Sequence, residues 1–310
     1  MVEERRVRVT LEVDRGAVPE RPQLPVRQLT LRPAGVPPLD ALVAVVENSP
    51  GVLVYFPGFN TALGPWELAK CAHLADVTGL TVVLTEIPGM SRFGAPIPKA
   101  VRKDMLARRI GSWAELNLTY IAEALQGLPS PDFLQVLGYS TGCSLAVSAL
   151  PALANRGPIE ALNLVEPVAI SERNIVSLQA HNMADLGRMP AALATNAGHE
   201  WVMSARKGQR KEPSVRYSPI DLIAIAQVLA TEGLRDELAS VDLARCALVR
   251  GERSSLCRLA DFERLDAMLT DQGVSGPTIT VRGLGHQLWH SFPTVVQLTR
   301  AMLSAGNTAS

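Results

Sequence analysis

A serine set between two glycines, Gly138-Tyr139-Ser140-Thr141-Gly142, separates an apolar run, Phe133 to Leu137, from a helical stretch, Ser144 to Leu150. A sharp strand-to-helix turn has no room for Cβ atoms at the flanking positions, and it pushes the serine hydroxyl out at the carboxyl end of a sheet. The helix that follows aims its backbone N–H groups and the positive end of its dipole at the same place. Ser140 is therefore the candidate nucleophile, against the alternative of a small-residue turn without chemistry.

A serine hydroxyl attacks poorly until a base takes its proton, so a histidine on a neighbouring loop is required. Five are present, and His286 fits best. It follows Gly283-Leu284-Gly285 just after the last predicted strand, 146 residues beyond Ser140, where a glycine-rich loop can return over the sheet edge. His73 is expected on a surface helix, and His181 and His199 in an inserted segment. His290 forms an H-x-x-x-H pair with His286, which raises metal binding as an alternative. The helical zinc motif needs Glu after its first histidine, and Gln287 stands there, so no metal is expected and His290 is given a packing or supporting role.

These residues need elements to hold them. Alternating apolar positions over residues 5–13 read as a half-buried strand, with Arg27 to Arg32 as its expected partner. Continuous apolar runs follow at Gly51–Phe56, Leu80–Thr85, Phe133–Leu137, Ile159–Val165, Ala244–Val249 and Thr278–Val281, with helical stretches between them. Such runs suit parallel strands covered on both faces, and the alternation predicts a βαβ sheet. About 75 residues between Val165 and Ala244 break the pattern with helical stretches at Ile175–Leu186, Pro219–Leu229 and Leu234–Ala239. They read as a helical cap, residues 170–239, inserted into a core of residues 1–169 and 240–310. Caps over the carboxyl edge of a sheet shape substrate access.

Composition narrows the classes. The 310 residues are 47% hydrophobic and 19% charged, the proportions of a folded globular chain. Thirty basic and thirty acidic residues cancel, which removes the whole-chain electrostatic case for nucleic acid or an anionic membrane. Four cysteines without a C-x-x-C pair suggest packed thiols rather than a zinc or disulfide framework. The charged N-terminus lacks the apolar run of a secretory signal, and the uncharged stretch from Phe133 to Asn155 reads as strand, turn and helix rather than a membrane span. A cytoplasmic protein is expected. The loop Ser204–Arg216 holds five basic residues and one acidic one, a solvated loop in the first reading and an anchor for a carrier-bound acyl group in the second. Without a P-loop or a G-x-G-x-x-G after a strand, no nucleotide cofactor is indicated, and none of any kind is expected.

In these features the chain resembles the α/β-hydrolase-fold family over nearly its whole length. The turn at Ser140 and the late G-x-G-H at His286 carry the resemblance, with Pro57-Gly58-Phe59-Asn60 after an early strand. Glu86-Ile-Pro88-Gly89-Met-Ser is similar to the D-x-P-G-x-G segment of capped members. The resemblance implies a mostly parallel sheet with helices on both faces. It also implies an oxyanion hole built from the backbone N–H groups of Phe59 and Thr141. The acid departs from the common pattern. Ordinary members carry Asp in a segment like G-x-x-D after the penultimate core strand, where this chain has Gly251-Glu252-Arg253-Ser254. Some members, including many haloalkane dehalogenases, supply the acid from the strand after the nucleophile helix, which here ends at Glu166-Pro167. Glu166, 26 residues beyond Ser140, is thus the chosen acid, with Glu252 and Asp261 as alternatives. Tyr139, Met183, Trp201 and Met203 are the pocket candidates.

A serine nucleophile forms an acyl enzyme from a carbonyl substrate. The first expectation is a serine hydrolase acting on an ester, lactone or thioester of a hydrophobic small molecule. A biosynthetic acyltransferase or cyclase would use the same residues with an acceptor other than water, and a ligand-binding protein would keep the pocket without the chemistry. The chain is expected to be a monomer or a homodimer.

Overall fold

The computed structural model describes residues 6–17, 19–196 and 216–304. Its centre is a nine-stranded sheet. In chain order the strands are β1 (Val7–Leu11), β2 (Val26–Leu31), β3 (Leu39–Ala44), β4 (Gly51–Phe56), β5 (Thr81–Thr85), β6 (Phe133–Tyr139), β7 (Ile159–Val165), β8 (Cys246–Gly251) and β9 (Pro277–Val281). Across the sheet the order is β1-β9-β8-β7-β6-β4-β5-β3-β2, parallel throughout except for β3 and β2 at one edge. Helices connect the strands, among them α1 (Pro65–Thr78), α2 (Lys99–Leu106), α3 (Gly111–Gln126) and α4 (Thr141–Ala154).

Every residue of β4, β5 and β8 is buried, which explains why Gly51–Phe56, 82–84 and 246–249 read as unbroken apolar stretches rather than alternations. Successive side chains feed opposite faces. Val52, Val54 and Phe56 join a core with Trp113 of α3 and Leu145 of α4, whereas Leu53 and Tyr55 join a second core with Leu74 of α1 and Trp289. Removing each such side chain from water stabilises the fold by about 2 kcal/mol.

Two expectations are corrected here. Arg27–Arg32 does not pair with the first strand: β2 pairs antiparallel with β3, while β1 runs parallel to β9 at the far edge. His73 is on α1 but buried, packed against the ring of Phe292 at 5.4 Å, because α1 and the C-terminal helix Phe292–Ser304 pack side by side on one face of the sheet.

Between β7 and β8 stand helices at Ile175–Leu186, Met189–Ala194, Pro219–Leu229 and Gly233–Ala239. Two buried aspartates tie them to the strand-bearing part of the chain. Asp185 accepts hydrogen bonds from the backbone N–H groups of Ser255 and Leu256, both at 2.9 Å, after β8. Asp221 accepts from Ile97 N at 3.1 Å and pairs with Arg102 at 3.0 Å. Asn196 adds a third tie, donating to the His290 carbonyl and accepting from Phe292 N, both at 2.7 Å. Among the described residues no helix is long and apolar enough to cross a membrane.

Candidate active site

The register of three neighbouring strands brings the site together. Tyr139 of β6 lies opposite Val165 of β7, so the next residues, Ser140 and Glu166, emerge side by side at the carboxyl edge. Their backbones continue the ladder, Ser140 N donating to Val165 O at 2.9 Å and Glu166 N to Val249 O at 2.7 Å. Both residues turn there into the left-handed region, with φ of 53° and 56°. Non-glycine residues are strained in that conformation by about 1–3 kcal/mol, and it persists only where surrounding structure enforces it.

For Ser140 the enforcement comes from its glycines. A Cβ on Gly142 would lie 2.0 Å from the Phe56 carbonyl oxygen, and one on Gly138 would lie 2.6 Å from Cys143 Cα. The turn is thus wedged against the end of β4, and α4 begins at Thr141 with its first N–H groups directed at the sheet edge.

His286 opens a short 3-10 turn, His286–His290, after β9. Ser140 Oγ lies 2.8 Å from its Nε2, and Glu166 Oε2 lies 2.8 Å from its Nδ1. An ionised carboxylate only accepts, so Nδ1 carries the proton and the lone pair of Nε2 faces the serine hydroxyl. Tyr139 fixes the histidine from below. Its hydroxyl donates to the His286 carbonyl at 3.0 Å, and its ring stacks on the imidazole with centroids 5.7 Å apart.

Glu166 is fully buried. Its Oε1 accepts from Gly251 N, and its Oε2 accepts from Ser254 Oγ at 2.5 Å as well as from His286. Such donors hold a buried carboxylate in place and satisfy its lone pairs.

The alternative acids lie elsewhere. Asp261 is enclosed by Ser171, Arg173 and Arg258 at 2.7–2.9 Å and by Arg264. Burial pushes its carboxyl up, but these donors outweigh burial and bring it down to about 2. Glu252 accepts from Gly283 N at 2.7 Å on the exposed side of the loop. Both ring nitrogens of His286 are already engaged, so neither acid is in its hydrogen-bonding shell.

Two cavities, each about 340 Å³, meet at Ser140 and share Phe59, Asn60, Asn182 and Leu186. One runs under the helices between β7 and β8, against Leu178, Ile225 and Leu229, and includes Thr141. The other runs toward α1 and is lined by Tyr139, Glu67, Lys70, His286, Gln287 and His290. Of the pocket candidates, Tyr139 is in place. Met183 is not: it is 58% exposed and lines neither cavity, because it occupies the outer face of its helix while Leu178, Asn182 and Leu186 occupy the inner one. Trp201 and Met203 lie outside the described residues, as does the basic loop from Ser204 to Val215. The hydrogen bond from Ser254 to Glu166 was not foreseen. A hydroxyl three residues past the end of β8 carries no pattern of its own, and only the missing Asp marked the place.

No protein-family model and no curated protein sequence matches the chain. Solved structures do. The thioesterase domain from the curacin biosynthetic pathway is 18% identical, covering 90% of this chain and 99% of its own, with a TM-score of 0.57. A carboxyl esterase from Bacillus coagulans is 12% identical over 91% of this chain and 98% of its own, with a TM-score of 0.58. The esterase Pf2001 from Pyrococcus furiosus is 13% identical over 91% and 88%, with a TM-score of 0.53. With its strand order and strand-to-helix turn, this protein has the α/β-hydrolase fold.

Proposed function

We propose that the protein is a serine hydrolase that cleaves an ester, lactone or thioester of a hydrophobic small molecule through Ser140, His286 and Glu166. The observation that carries this reading is the unbroken hydrogen-bonded chain from Ser140 Oγ through both nitrogens of His286 to a buried carboxylate. His286 takes the serine proton as Oγ attacks the carbonyl carbon, and Glu166 stabilises the imidazolium that results. The N–H groups of Phe59 and Thr141 hold the developing oxyanion, and His286 then protonates the leaving group. A water deprotonated by His286 releases the acid. No cofactor or metal enters any of these steps.

The helices of residues 170–239 act as the cap. Leu178, Ile225 and Leu229 face the nucleophile and suit an apolar acyl chain. The same chain of hydrogen bonds supports catalysis over a role in ligand binding alone, since a binding pocket has no need of an oriented imidazole. Steady-state turnover of p-nitrophenyl butyrate tests the reading. Wild type turns it over, and Ser140→Ala and His286→Ala each lose at least about a thousandfold in kcat; wild-type rates in either variant contradict it.

A further inference from the structure

Glu166 is held by a loop that is itself held from its other side. Gly251 N and Ser254 Oγ both donate to the Glu166 carboxylate, the second at 2.5 Å. The next three N–H groups are all engaged. Ser255 N and Leu256 N donate to Asp185 Oδ2 at 2.9 Å each, and Cys257 N donates to Ser254 Oγ at 3.1 Å. One turn of chain, 254–257, thus has Glu166 on one side and Asp185, of the helix Ile175–Leu186, on the other. Asp185 is fully buried, and its Oδ1 takes Arg188 Nη1 at 2.6 Å, which also donates to the Arg253 carbonyl at 2.7 Å. A buried carboxylate with several donors is a fixed point, because losing any of them leaves a charge or an N–H group uncompensated.

The same pair backs the segment that carries His286. Arg253 N donates to Leu284 O at 2.7 Å. A Cβ on Gly285 would lie 3.1 Å from Arg188 Cδ and 3.3 Å from Asp185 Oδ1, so the pair packs directly behind the residue that precedes His286. Asp185 and Arg188 therefore reach, through the main chain, both segments that meet at the hydrogen bond between Glu166 and His286.

We propose that Asp185 is a positioning residue of the Ser140 site: it fixes the 254–257 turn from the cap side, so that Ser254 keeps the Glu166 carboxylate turned toward His286. The proposal rests on the reading of Ser140, His286 and Glu166 as the triad. Without Asp185, Leu256 N is a buried donor with no partner and Ser255 N loses its acceptor, so the turn rearranges to pair them. Ser254 moves with it, since its hydroxyl is bonded within the same turn. A carboxylate that swings away then no longer fixes the imidazole tautomer or stabilises the imidazolium. Asp221 supplies the contrast. It is an equally buried carboxylate on the helix Pro219–Leu229, but it accepts from Ile97 N and pairs with Arg102, on α2 and just before it, so it seats the same group of helices without reaching the loops of the triad.

A double-mutant cycle on kcat separates positioning from stability, because residues that act through one contact are not additive. With p-nitrophenyl butyrate, Ser254→Ala and Asp185→Ala each lower kcat about tenfold with KM within about threefold, and the double variant falls no more than about twofold below either single one. Asp185→Asn keeps an oxygen for the two N–H groups and stays within about threefold of wild type. Asp221→Ala lowers the urea midpoint as Asp185→Ala does, yet its kcat stays within about threefold of wild type. Where Asp185→Ala does not fold, Arg188→Leu, at a side chain 44% exposed, takes its place in the cycle. It lowers kcat about fivefold in the wild-type background and no more than about twofold in the Ser254→Ala background. Additive losses, an unchanged kcat in the folded Asp185 or Arg188 variant, or a loss in Asp221→Ala equal to that in Asp185→Ala overturns the proposal while leaving the triad standing. Absence of turnover in wild type, or its survival in Ser140→Ala, overturns the reading of the triad and the proposal with it, so the two failures are distinguishable.

Discussion

Ser254 donates a 2.5 Å hydrogen bond to Glu166, the carboxylate that in turn faces His286. Position 254 is where the resemblance to ordinary α/β-hydrolases expects the acid itself. Under the proposed function, the acid's place and a donor's place are exchanged between the ends of two adjacent strands, β7 and β8. Because both ends meet at the carboxylate that faces His286, the exchange predicts a partial reversal. Glu166→Gln lowers kcat for p-nitrophenyl butyrate by about 10³–10⁴-fold, since the amide no longer favours the required tautomer or stabilises the imidazolium. Adding Ser254→Asp to that variant recovers at least about tenfold. A Glu166→Gln enzyme with wild-type turnover, together with loss in Glu252→Gln, would move the acid to Glu252.

With Glu166 as the proposed acid, Asp261 is expected to serve stability rather than turnover. Its carboxylate neutralises the buried Arg173 and binds Arg258 and Arg264. Asp261→Asn leaves a buried guanidinium unpaired and costs about 3 kcal/mol in urea denaturation. The kcat of the folded variant stays within about threefold of wild type. A kcat loss of a thousandfold with unchanged stability would contradict this division of roles.

The turn at Ser140 tolerates no side chain behind it. With a Cβ 2.0 Å from a backbone oxygen of Phe56, Gly142→Ala displaces the end of β4 or the start of α4. It costs about 3 kcal/mol or more, read from denaturation midpoints. A Gly142→Ala protein as stable and as active as wild type would mean that the turn is looser than described.

Glu86 gives stability a dependence on pH. Burial raises its carboxyl to about 6, against the backbone N–H groups of Asp40 and Arg92 that stabilise the ionised form. The folded state therefore binds more protons than the unfolded one between the ordinary value of 4.5 and about 6, so this group's contribution falls as pH rises through that window. The loss is about 2 kcal/mol. It is measured as the difference between the pH profiles of wild type and Glu86→Gln, and a difference that rises with pH would contradict the assignment.

Under the proposed function, the apolar cavity sets acyl length. Ala226 lines it on the helix Pro219–Leu229. Ala226→Phe fills part of the space and lowers the octanoate-to-acetate ratio of kcat/KM for p-nitrophenyl esters by about tenfold. An unchanged ratio would place the acyl chain elsewhere.

The parts of this architecture that depend on local pattern were legible in the sequence. The strand Ile159–Val165 and the helices Ile175–Leu186 and Pro219–Leu229 stand where periodicity predicts them, because each is a continuous run with its own start and stop. Ser140 and His286 were legible for the same reason, each marked by the glycines its turn requires. β3 was not: Leu39–Ala44 follows two prolines and carries Asp40, whose carboxylate is buried only because Thr30, Gln28 and Arg92 reach it from other segments. Partnership across the sheet was equally hidden, so β2 was assigned to the wrong neighbour. The burial of His73 and the outward face of Met183 depend on which helix packs against which, and no spacing along the chain encodes that.

The central claim is that Ser140 is an activated nucleophile, and covalent labelling tests it most directly. Intact-protein mass spectrometry after incubation with a fluorophosphonate shows one adduct on wild type and none on Ser140→Ala. No adduct on folded wild-type protein, or the same adduct on Ser140→Ala, would contradict the account.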